Sequence, residues 1–146
     1  NNTDVLFWGE YCNDLDGVLG SNAKLMNAFL AARAAISNKD YTTRDEKIVV
    51  IRENWDALIA AAAIHEINES IEYFSDDAVR NHTLSEFLGF VYSLKYNIHT
   101  KITSTQITEV TSHVGANLYT VTVNDLNAAK NSLSAIYGLD DIKDSL

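Results

Sequence analysis

Two histidine and carboxylate pairs carry the most chemistry in this chain: His65 with Glu69, and His82 with Glu86. Residues four apart share one face of an α-helix, so each pair can present an imidazole nitrogen beside a carboxylate oxygen. If the chain reverses near residues 75–77, the two helices run antiparallel, with His65 level with Glu86 and Glu69 level with His82. Two imidazoles and two carboxylates would then converge, a mixed nitrogen and oxygen set suited to iron, manganese or zinc. The same groups could instead latch the helices together, His65 to Glu86 and His82 to Glu69, satisfying polar groups that packing would bury. A third reading makes Thr83 and Glu86 a capping box, which starts the second helix at Thr83 and leaves His82 outside it.

Other residues offer less. His99 and His113, of which only His113 has a carboxylate at helical spacing (Glu109), read as surface or packing histidines. No G-x-S-x-G setting marks a nucleophile, and Gly17 and Gly20 are followed by no phosphate-loop lysine. Cys12, the single cysteine, can form no internal disulfide and belongs to no zinc cluster, so it reads as a small buried apolar residue. Trp8, Tyr11 and Trp55 could line a groove, but large aromatics in helical proteins more often build core.

The elements that position these groups are helical. Nearly half of the 146 residues are apolar, enough for a core of one domain's size. Apolar positions Leu25, Met26, Phe29, Leu30, Ala32 and Ile36 predict one buried face on a helix over 22–36, with Ser21 and Asn22 as caps. A longer helix over 43–74 opens with Thr43 and Glu46 in capping-box spacing. Within it Ile51, Trp55, Leu58 and Ala62 form a stripe that His65 and Glu69 continue, while Ile64, Ile67, Ile71 and Phe74 form a second stripe. That end of the helix should be covered on both flanks, and a carboxylate buried there needs a partner.

A third helix over 77–96 sets Leu84, Phe87, Leu88, Val91 and Leu94 on one side. His82, Glu86, Gly89 and Ser93 share another side, where Gly89 would let a neighbouring backbone approach. Thr103 and Gln106 cap a helix over 107–114, and residues 117–123 read as an extended linker. A last helix over 124–137 stops at Gly138. No proline interrupts any of them. The expected fold is therefore an all-α bundle of about five helices, spanning 1–146 as a single domain or as part of a larger helical one.

A formal net charge of -9 argues against nucleic acid and anionic membrane surfaces as partners, because both repel an acidic chain. The longest uncharged apolar run, 57–64, is too short to span a bilayer, so no membrane insertion by this segment is expected. The opening segment, with Val5, Leu6, Phe7, Trp8 and Tyr11, is rich in aromatics and suggests a chain that begins inside a longer protein.

The runs FWGEYCND, GSNAKLMNAFLAARAAISNKDY, AAAIHEINESI, DDAVRNHTLSEFLGFVYSLKYN and LYTVTVNDLNAAKNSLSAIYGLDDIKD resemble the C-terminal part of a family of uncharacterised secreted bacterial lipoproteins. That domain of unknown function is similar to the imelysin-like helical proteins. The resemblance implies an extracytoplasmic location, in the periplasm or on the cell surface, and a link to iron uptake. It also implies that the partner of this segment is the N-terminal half of the same longer polypeptide or another protein. The imelysin-like proteins carry a G-x-H-x-x-E metal motif; here Ala63, His65 and Asn68 occupy its three fixed places.

Two main functions follow as expectations. One is a non-enzymatic extracytoplasmic binding protein for iron or zinc, with His65, Glu69, His82 and Glu86 as ligands. The other is an imelysin-type hydrolase, with a metal-activated water and Glu66 or Glu69 as general base. A structural or interaction module with no small-molecule site is the third.

Overall fold

A computed structural model describes residues 6–146, which are all-helical, with no β-strand among them. Seven α-helices follow in order: α1 (Trp8–Asp14), α2 (Asp16–Leu19), α3 (Ser21–Ser37), α4 (Tyr41–Glu72), α5 (Asp77–Ser93), α6 (Ser104–Val114) and α7 (Val123–Tyr137). Three 3-10 turns cover Leu94–Tyr96, Leu118–Thr120 and Lys143–Ser145. The five expected helices correspond to α3 to α7. The aromatic-rich start folds into the additional α1 and α2, and the presumed extended linker contains the turn Leu118–Thr120. Val5 lies outside the described residues. No described helix is long and apolar enough to cross a membrane.

The starts of α3 and α4 differ from the sequence expectation, each because a carboxylate nearby caps better. At α3, Ser21 and Asn22 lie in the first turn, and the Asn22 backbone N–H donates to Asp16 Oδ1 at 2.7 Å. At α4, Asp40 accepts from the Thr43 N–H (3.0 Å) and hydroxyl (2.7 Å), so Thr43 is a donor inside the helix. Those bonds, the backbone one first, hold the Asp40 carboxyl below its ordinary pKa. α5 starts at Asp77 as expected, where Asp76 receives the N–H groups of Ala78 and Val79, which places Thr83 mid-helix and His82 on the helix. The capping box proposed at Thr83 and Glu86 therefore does not form. The capping box of Thr103 and Gln106 does form at α6, and α7 ends at Gly138 with φ of 70°.

The chain divides into two compact units, Asn1–Leu58 and Ile59–Leu146, with the boundary inside α4. In the first unit, α1 packs on α3, and Trp8 and Trp55 meet edge to face with ring centroids 6.3 Å apart. Tyr11 joins them, 5.7 Å from Trp8, so these aromatics pack on one another, but all three are half-buried and lie outside the buried core to which the sequence assigned them. Cys12 is buried, its Sγ 3.3 Å from Asn22 Oδ1. On α3 the buried stripe is Leu25, Ala28, Ala32 and Ala35. Met26, Phe29, Leu30 and Ile36, expected on the same face as Leu25 and Ala32, are exposed. At about 100° per residue, α3 has an apolar stripe on each side, and the one rich in alanine is the one that packs.

The second unit has a dry core. Ala60, Ala61, Ala62, Ala63 and Ile64 are completely inaccessible, so α4 is covered all round here, as the paired stripes predict. Leu84, Phe87 and Val91 on α5 and Leu94 in the 3-10 turn that follows it are equally inaccessible, and α6 packs against α7. Gly89 is exposed, and a Cβ placed on it would meet nothing within 4 Å, so it admits no neighbouring backbone. The C-terminal segment is fastened by Asn68. Its Nδ2 donates to the main-chain oxygens of Lys143 (2.8 Å) and Leu146 (2.9 Å), and its Oδ1 accepts from Lys130 Nζ (3.0 Å). The buried Lys130 also donates to Asp144 Oδ1 at 2.6 Å.

Candidate metal centre

The positions of the histidines follow from a hydroxyl pair. Ser70 on α4 and Thr83 on α5, both buried, meet with their oxygens 2.5 Å apart. Thr83 occupies the inward face of α5, and His82, one residue earlier, is rotated about 100° from it. The His82 side chain is 71% exposed, and its Nε2 lies 3.4 Å from Glu86 Oε1 on the same helix. The predicted i,i+4 pair on α5 thus exists as an outward-facing pair.

The other predicted pair gains a third member. His65, Glu66 and Glu69 each offer a ligand atom, and these atoms all lie within 4.8 Å of one another. His65 and Glu69 are half-buried, while Glu66 is 2% exposed. Among the described residues, His82 and Glu86 lie outside this set, so the four predicted ligands separate into two groups, one on each helix. The donors on a single ion with bonds near 2.1 Å stand about 3–3.5 Å apart, so the α4 set would have to draw together to hold a cation. Spacing explains the set. Glu66 and Glu69 are three apart and His65 and Glu69 four apart, so all three project from neighbouring turns.

The local field favours a cation. The last turn of α4 contains no basic residue, and Glu69 and Glu72 sit where the helix dipole already presents its negative end. The charge and hydrogen bond of Glu72 push the Tyr73 phenol above its ordinary pKa, and the Glu69 carboxylate adds a smaller effect. Beyond Glu72 the chain turns under Arg80. This buried side chain donates to the Phe74 carbonyl, pairs with Asp77 Oδ1 at 2.6 Å and stacks 5.0 Å over the Phe74 ring.

Sequence reasoning gave Glu66 only the role of a possible base, although its i,i+3 relation to Glu69 was a usable signal for a ligand. Asn68, in the place of the motif glutamate, binds the C-terminal segment and Lys130 as described above and serves packing. His113 bonds Ser132 between α6 and α7 at 3.3 Å, a packing histidine as expected.

These features define an all-helical protein with one imidazole and two carboxylates gathered on adjacent turns of a single helix. The chain belongs to the family described as a domain of unknown function (DUF4856), which it matches over residues 1–139. No curated protein and no solved structure gives a significant match.

Proposed function

We propose that this protein binds a divalent transition-metal ion, iron or zinc, without catalysing a reaction, and that His65, Glu66 and Glu69 are its ligands. The observation that supports this is the convergence of three donor atoms within 4.8 Å in a cation-attracting environment. The remaining coordination positions are left to water or to a donor from a partner. Binding is favoured over hydrolysis because both carboxylates serve as ligands, so the set holds no further carboxylate to act as general base. The reading includes an extracytoplasmic setting and a part in iron acquisition, on the strength of the lipoprotein and imelysin-like resemblance alone.

The test is calorimetric titration of the purified protein with zinc and with ferrous iron, alongside elemental analysis and melting with and without chelator. One ion per chain is expected, with a melting point that falls on chelation. His65→Ala and Glu66→Gln should weaken binding by about tenfold or more, since even outer-sphere partners change affinity by that much. His82→Ala should leave it unchanged. Equal losses for His65→Ala and His82→Ala, or no stoichiometric binding to the wild type, would overturn the assignment.

A further inference from the structure

The outward side of α3 lies away from the metal cluster and has a distinct pattern. Met26, Phe29, Arg33 and Ile36 recur at spacings of three and four, the a and d positions of two heptads, and Leu30 flanks them. All five are exposed, the four apolar ones at 59% (Met26), 51% (Phe29), 44% (Leu30) and 55% (Ile36). A seam with this periodicity is shaped to receive the knobs of another helix. Its centre is a cation. Arg33 makes no side-chain hydrogen bond or ion pair among the described residues. From Ser21 to Lys39 the sequence carries Lys24, Arg33 and Lys39 and no carboxylate, in a chain whose formal net charge is -9.

Covering this seam buries the Arg33 guanidinium, which is costly without a carboxylate opposite. Two copies of α3 cannot supply one. Parallel pairing sets Arg33 against its own counterpart, and antiparallel pairing leaves both guanidinia among apolar side chains. A bilayer surface calls for a wide apolar face beside a strongly cationic one, whereas the opposite face of α3 is packed inside its own unit. We infer that the seam docks an amphipathic helix of a partner, one that places an Asp or Glu at the centre of its apolar face to meet Arg33.

A synthetic helical peptide with Leu and Ile along one face and a single Glu at the centre of that face is the probe, labelled for fluorescence anisotropy. A second peptide has Lys in place of that Glu. The Glu peptide should bind saturably and about tenfold or more tightly than the Lys peptide, and Arg33→Glu should reverse that preference. Phe29→Glu should abolish binding of both peptides. Circular dichroism is expected to show unchanged helix content in both variants, because both side chains are exposed; Arg33→Glu carries the test if Phe29→Glu unfolds. Equal binding of the two peptides, or of neither, overturns the proposal. So does self-association lost on Phe29→Glu, or Arg33-dependent binding to phosphatidylserine vesicles instead of the Glu peptide.

Discussion

The two units of this chain spend apolar residues differently. Between Ile59 and Leu146, large side chains such as Ile64, Phe87, Leu126 and Leu133 are completely buried, and most of the exposed large ones are tyrosines, whose hydroxyls can face water. Before Leu58 the buried set is mostly small, with Cys12, Ala28, Ala32 and Ala35, while Phe7, Met26, Phe29 and Ile36 are exposed. The difference teaches that apolar content does not by itself make a core. What matters is which stripe is offered to which neighbour, and α3 offers its small residues inward.

Single truncations measure this contrast. Phe87→Ala should cost about 3–5 kcal/mol in a denaturant melt, since it leaves a cavity in a closed core. The C-terminal fastening should come next. Asn68→Ala removes two donors and one acceptor at once, and its expected cost is about 1–3 kcal/mol, because two main-chain oxygens lose these bonds and Lys130 keeps only its bond to Asp144.

A smaller effect is expected at Asp144. The hydrogen bond and charge of Lys130 hold its carboxyl below the ordinary pKa. The folded state therefore favours the ionised form, and the resulting stability is present above the unfolded pKa of about 3.9 and disappears as pH falls through the lower folded value. Melting points followed from pH 5 downward should fall more steeply for the wild type than for Asp144→Asn. Least of all should be Phe29→Ala, within about 0.5 kcal/mol of wild type, because its ring is already half in water. A cost for Phe29→Ala close to that of Phe87→Ala would remove the contrast between the units.

Much of the fold was legible before the coordinates. The period of 3.6 in α4 and α5, the Thr103 and Gln106 box and the Gly138 stop all appear in the sequence and in the structure. The face of α3 was not legible, because both of its stripes are apolar and periodicity cannot choose between them. The candidate set of donors was legible in half. Spacing along one helix found His65 with Glu69, but the depth of packing between helices has no sequence signature as simple. Symmetry about residues 75–77 sets Ser70 against Asn81, whereas Ser70 meets Thr83, and that hydroxyl pair takes the inward position the histidines were expected to hold. The starts of α3 and α4 were misplaced by one or two residues for a related reason: Asp16 and Asp40 compete with serine, asparagine and threonine for the cap, and the stronger acceptor prevails.

Cys12 has one further consequence. Its Sγ is enclosed between α1 and α3, close to Ser21 Oγ and Asn22 Oδ1, in the unit with the less complete core. A thiol reagent can reach this sulfur only when its surroundings open, so the rate of modification is set by the opening equilibrium when closing is fast. As the only cysteine in the chain, it is a natural clock for the breathing of the first unit, readable without a label and separately from the melting of the second.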